Sequence, residues 1–281
     1  MSTSLQEDLE YAYTVLDGKF DENHWHIWGN TNEELDDMFR DINVSDKSVL
    51  TVMSSSDYLI MSHLFGAKSV ECFDINPLTL RFFYLRKWLI QNGKLEYGAD
   101  LDCKNTIDIV NSVSSFSSKY EKESNIFWKE IMKGFNWRNW RSNHLITAEG
   151  VSSCCVIYRE MRDEMTKIVS SDPVFYNVSL SEESGLGIDK KYDYVFISNI
   201  LDKDNRSPER LEIIKRNLLN ILKSDGSVVC THFPGRHRER ILETLTPERK
   251  VFDKEFDFHM FEDSGLEEGN ITYMYTRKNN L

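Results

Sequence analysis

Four consecutive residues, Ser54, Ser55, Ser56 and Asp57, follow a short apolar run, and a second acid, Asp74, stands eighteen residues beyond Ser56. Small side chains at the end of a strand let the backbone turn sharply and approach a ligand. An acid that closes the next strand can accept hydrogen bonds from both hydroxyls of a ribose, which points to an adenosine-bearing ligand. The glycine pattern G-x-G-x-x-G of dinucleotide-binding turns is missing here, and the turn carries Asp57 instead. A carboxylate at a helix N-terminus occupies the place where a pyrophosphate seeks the positive end of the dipole, so it repels phosphate and attracts a cation.

Such a turn needs a strand before it and a helix after it, and the sequence supplies both. SVLTVM (residues 48–53) is an apolar run bounded by polar residues, as expected of a buried parallel strand. Residues 57–65 are helix-like, Gly66 stops them, and SVECFD (residues 69–74) is the second strand of a βαβ unit. INPLTLRFFYLRKWLI then offers a proline for a helix's first turn and a long apolar face. The alternation returns in strands over residues 173–180, 192–200 and 226–233, with an amphipathic helix opened by Ser207 and Pro208. KVFDKEFDF (residues 250–258) and NITYMYTRK (residues 270–278) suit an antiparallel hairpin at a sheet edge. The expected fold is α/β, with a doubly wound, mostly parallel seven-stranded sheet.

Two regions lie outside that alternation. Residues 1–46 read as a helical segment, with Leu5, Leu9, Tyr13 and Leu16 near one face and a second helix starting around Thr31. Residues 47–281 form the ligand-binding domain, and within it residues 92–172 read as a helical insertion rich in aromatics. The alternative for that stretch is a set of lengthened helices on one face.

Composition excludes several classes. The chain has 281 residues, 40% hydrophobic and 28% charged, which suits a globular protein rather than a disordered one. A net charge of −12 opposes general affinity for nucleic acid, so no nucleic-acid partner is expected. No apolar run reaches the length of a membrane span, and the acidic N-terminus lacks the features of a signal peptide. Five cysteines without a C-x-x-C pair suggest neither a disulfide framework nor a zinc ribbon. His24 and His26 have no evident third ligand, so no metal is expected. A reducing, cytoplasmic setting fits.

A ligand with adenosine, a sulfonium and an α-ammonium satisfies the turn, and S-adenosylmethionine has all three. YDYVFISNILD (residues 192–202) places Ser198 and Asn199 at the end of the fourth strand, beside the methionyl part. SSSD, FDINP and YVFISNILD together resemble a family with SSGD, D-x-NP and LSNI-D at these places. That family, within the class I methyltransferase-like fold, includes the enzymes that transfer the 3-amino-3-carboxypropyl group of S-adenosylmethionine to diacylglycerol in betaine-lipid synthesis. The resemblance spans roughly residues 30–233, and Ser56 stands where the family has glycine. It implies that Ser54, Ser55 and Asp57 line the methionine end, that Asp74 holds the ribose and that Ile75 lies against the adenine. It further implies cofactor contacts from Ser198 and Asn199, and from Val178 and Ser179 beside the adenine. Thr31 and Glu33 either fold over the amino-acid end or simply cap a helix.

A sulfonium has three electrophilic carbons, and the placement of the nucleophile selects among them. The resemblance favours attack at the methionine Cγ with release of methylthioadenosine. The nucleophile is an acceptor, or the cofactor's own amine in a cyclisation, where Tyr176 and Tyr84 can support the sulfonium through cation–π contact. Methyl transfer is the alternative reaction. A non-catalytic S-adenosylmethionine-binding module is a rival of another class, and a dinucleotide oxidoreductase a third. Candidate general bases are Asp202, His232 and Tyr176. The expected partner is a small-molecule or lipid acceptor, with a homodimer left open. Trp137, Arg138, Trp140 and Arg141 form either a stacking surface for an anionic acceptor or the core face of a helix with exposed arginines.

Overall fold

A computed structural model describes residues 4–17, 27–28, 35–94, 103–133, 146–147, 160–198, 200–201, 207–232, 241–261 and 271–279. In chain order the elements begin with α1 (Leu5–Leu16), β1 (Ile27–Trp28), α2 (Leu35–Asp41), β2 (Ser48–Val52), α3 (Asp57–Leu64) and β3 (Ser69–Asp74). Next come α4 (Leu78–Gln91), α5 (Cys103–Ser112), α6 (Lys119–Lys133), β4 (Ile146–Thr147), α7 (Arg162–Ser170) and β5 (Val174–Asn177). The chain then runs through β6 (Tyr192–Ser198), α8 (Pro208–Ile221), β7 (Leu222–His232), α9 (Ile241–Phe252), β8 (Phe256–Met260) and β9 (Ile271–Arg277). Among the described residues no helix is long and apolar enough to cross a membrane.

Seven strands form one sheet in the order β5-β3-β2-β6-β7-β9-β8, and β1 pairs with β4 separately. β2 is parallel to β3 and to β6, and β6 to β7, whereas β9 is antiparallel to both β7 and β8. This is the mostly parallel seven-stranded sheet expected from the sequence. The chain leaves β2 in one direction and returns to build on its other side, so the strand order reverses there. Ligands in open α/β sheets bind beyond the carboxyl ends of the strands at such a reversal.

The chain divides into two compact units, the first drawing on Met1–Asn32, Met53–Ile60 and Asp74–Asn177, the second on Glu33–Val52, Met61–Phe73 and Val178–Leu281. In the second unit β2 is buried from Val49 to Val52, which is why it reads as a continuous apolar run. Phe39 of α2 stacks on Phe196 of β6 with ring centroids 5.1 Å apart. β7 starts four residues earlier than the alternation suggests, at Leu222 rather than Gly226, through a register shift against β6. A Cβ at Gly226 would lie 2.9 Å from the carbonyl of Tyr192, so the close approach of the two strands requires glycine. Residues 250–252, taken from sequence as the start of a strand, instead end α9, and β8 begins at Phe256. Phe252 packs there against Phe256 and Tyr275, a contact that three residues of alternation cannot reveal.

In the first unit α4 is buried along nearly its whole length and packs against α5, α6 and α7, while α1 packs on α6. Its three basic residues are all paired. Arg81 Nε meets Asp8 Oδ2 at 2.7 Å with both side chains fully buried, and its guanidinium lies 3.8 Å from the centre of the Tyr120 ring. Lys87 meets Glu121 at 3.1 Å, and Trp88 Nε1 donates to the same carboxylate at 2.9 Å. Arg86 is described with the site. The buried face of α1 is Asp8, Ala12 and Val15, with Tyr13 exposed, and not the face of Leu5, Leu9, Tyr13 and Leu16 expected from sequence. Asp8 lies on the buried face, where its carboxylate meets Arg81.

Candidate functional site

The turn after β2 is made of serines in an uncommon conformation. Ser54 and Ser56 have φ of 40° and 72°, a left-handed region that costs a residue with a Cβ about 1–2 kcal/mol. Ser56 therefore keeps the backbone shape that glycine takes freely, at the position where the resembling family has glycine. Its N–H donates to the carbonyl of Met53 at 2.6 Å, and its carbonyl accepts from Ile60 at 3.1 Å as α3 begins. Its hydroxyl is buried and has no partner among the described residues.

Asp74 closes β3 directly opposite this turn. One carboxylate oxygen accepts from the N–H of Ser54 at 2.8 Å, the other from the N–H of Asn76 at 2.9 Å. Burial pushes its carboxyl up to about 6, while the N–H groups of Asn76, Ser54 and Ile75 act to lower it. A carboxylate accepts about four hydrogen bonds, so with these three N–H groups about one acceptor site remains for a ribose hydroxyl. Ile75 follows with 47% of its surface exposed, a large apolar side chain presented to solvent beside that acid. Asn76 Oδ1 accepts from the N–H of Leu78 at 2.9 Å, which explains the D-x-N-P pattern: the asparagine caps α4 and Pro77 leads into its first turn.

Two residues that shape the candidate site escape the sequence reading. Asn177, at the end of β5, donates its amide to the carbonyls of Asp74 and of Ile75, each at 2.9 Å, and so fixes the backbone on which both side chains stand. Arg86 of α4 reaches the serine turn. Its Nη2 meets Asp57 Oδ1 at 2.8 Å and its Nη1 donates to the carbonyl of Ser55. Ser55 Oγ donates to the other oxygen of Asp57 at 2.6 Å. Asp57 is fully buried, and Arg86 balances its charge. The repulsion of a pyrophosphate expected from a bare carboxylate is reduced accordingly. What persists is occupancy, because an acidic side chain already sits at the start of α3. The signal for Arg86 is present in the sequence as a basic residue within the apolar run RFFYLRKWLI, where burial demands a partner.

The remaining candidates belong to other elements. Ser198 ends β6 with φ of 50°, a third serine in the left-handed region. Val178 and Ser179 lie just past β5, which is shorter than expected, and Ser179 Oγ pairs with Ser181 Oγ at 2.9 Å in a turn. Tyr176 is half-buried on β5. Tyr84 is buried in α4, and the ammonium of Lys87 lies 5.6 Å from the centre of its ring. His232 is the last residue of β7 and is described in its backbone alone. Thr31, Glu33, Asn199 and Asp202 lie outside the described residues, as do Trp137, Arg138, Trp140 and Arg141.

No family model matches the chain, and no curated protein matches it. Among solved structures it is similar to the ribosomal protein L11 methylase of Lactobacillus delbrueckii subsp. bulgaricus, at 14% identity over 87% of this chain and 77% of that one, with a TM-score of 0.40. It is also similar to the N-methyltransferase NodS of Bradyrhizobium japonicum WM9 in complex with S-adenosyl-L-homocysteine, at 7% identity over 96% and 98% of the two chains, with a TM-score of 0.42. At these values the fold rests on the strand order itself.

Proposed function

We propose that this chain is an S-adenosylmethionine-dependent transferase. The observation that carries this is Asp74, a buried carboxylate with free acceptor capacity, tied through Ser54 to a left-handed small-residue turn and followed by the exposed Ile75. These residues fit the cofactor. Asp74 would accept from a ribose hydroxyl, Ile75 would cover the adenine, and the serine turn would admit the methionyl part. The buried Ser56 hydroxyl adds a polar group without a partner among the described residues at that turn. When bound, S-adenosylmethionine supplies an electrophilic carbon on a sulfonium leaving group.

The three-motif resemblance directs the reaction to Cγ. An acceptor's lone pair forms the new bond to Cγ, the C–S bond breaks with its electrons remaining on sulfur, and the acceptor gives up a proton. The products are the aminocarboxypropylated acceptor and methylthioadenosine. Incubating purified protein with S-adenosylmethionine, alone and then with cell extract, tests this by mass spectrometry of the nucleosides. Methylthioadenosine is expected. S-adenosylhomocysteine would replace the Cγ reaction with methyl transfer, and turnover of neither kind together with tight binding would mark a non-catalytic module.

A further inference from the structure

We propose that Arg86 is the positioning residue that holds the serine turn in its ligand-receiving shape. This rests on that turn being the seat of the cofactor's methionyl part. Two residues of the turn, Ser54 and Ser56, sit in a backbone region that serine disfavours, and the segment must be held there by contacts that outweigh the strain. Each residue of the turn has such a contact. Asp74 binds the N–H of Ser54 and Met53 binds the N–H of Ser56, so the two strained residues are tied by their donors. The residue between them, Ser55, is tied by its acceptor, and the group that ties it is the Arg86 guanidinium.

A guanidinium is suited to this because its donors form a rigid planar fork. One arm takes the Ser55 carbonyl and the other the Asp57 carboxylate, so a single side chain spans the turn from its middle to the first residue of α3. Ser55 Oγ closes the arrangement by donating to Asp57. Arg86 is anchored in turn by the buried helix α4, whose start is set by Asn76, two residues beyond Asp74. The clamp and the ribose acid thus stand on one continuous segment, and the spacing between them is fixed by helix geometry. A lysine can neutralise Asp57 but cannot hold both acceptors in that fork.

The test compares Arg86→Met, Arg86→Lys and Arg86→Met with Ser54→Gly and Ser56→Gly in the intact chain. Hydrogen exchange at the amides of residues 54–57 needs no ligand. It should rise about tenfold in both single variants and fall back toward wild type in the glycine triple variant, because glycine takes the left-handed region without a clamp. Affinities for S-adenosylhomocysteine and adenosine supply the functional arm. The first should fall about tenfold in Arg86→Met and recover with the glycines, while adenosine, held by Asp74 and Ile75, stays within about twofold. Unchanged exchange in Arg86→Met, wild-type behaviour of Arg86→Lys, or failure of the glycines to restore protection would overturn the proposal. Wild-type protein that binds neither nucleoside would instead remove the cofactor assignment and leave the exchange result to decide the role of Arg86.

Discussion

Asp74 combines two demands that pull against each other. It is buried, which raises its proton affinity, and in the proposed role it must be ionised to accept fully from the ribose. With the carboxyl at about 6, the anion predominates at neutral pH and is lost within the mildly acidic range. Protonation removes an acceptor, so cofactor affinity should be level near pH 7 and weaken by up to tenfold for each unit below about 6. Titration calorimetry with S-adenosylhomocysteine between pH 5 and pH 7 should show this slope, and Asp74→Asn should bind weakly with no slope. A wild-type profile that stays flat over that range would remove Asp74 from the contact. The pairing of Asp57 with Arg86 gives the opposite case: its carboxylate already has a cationic partner, and its part in binding is carried through the shape of the turn.

The helices show where sequence patterns stop being informative. β2 and β3 are legible because both faces of each strand are buried and the apolar run is continuous. The face of α1 is not, because Asp8 lies on it and its partner, Arg81, is 73 residues away in sequence. Arg81 and Asp8 are each fully enclosed, so removing Asp8 leaves the buried guanidinium with only the longer pairing to Glu123, at 3.7 Å. Asp8→Ala should therefore destabilise the protein by about 3–5 kcal/mol in urea unfolding, whereas replacing both by apolar residues of similar volume should cost far less. Equal losses from the single and double changes would mean that packing, not charge, seats α1. The same logic covers Arg86: its presence in an apolar helix is visible in the sequence, while the identity of its partners is a tertiary fact.

For the whole molecule, strand order and the site are linked by one physical requirement. A reversal in the order of parallel strands opens a crevice at their carboxyl ends, and the serine turn and Asp74 stand at the ends of two neighbouring strands beside that reversal. What fills the crevice is set by charge as well as shape. A chain with net charge −12 disfavours polyphosphate ligands at long range, and the buried Asp57 side chain already occupies the start of α3. Thermal unfolding separates these ligand classes without knowledge of the acceptor. At about one hundred times its dissociation constant, a ligand bound only by the folded state adds about 2.7 kcal/mol. For a chain of this size that is a rise in Tm of roughly 5 °C. S-adenosylhomocysteine should produce that rise, and NAD at the same concentration should produce none. A rise with NAD and none with S-adenosylhomocysteine would assign the crevice to a dinucleotide, and the serine turn would then be read as a phosphate-binding loop that Arg86 serves by charge.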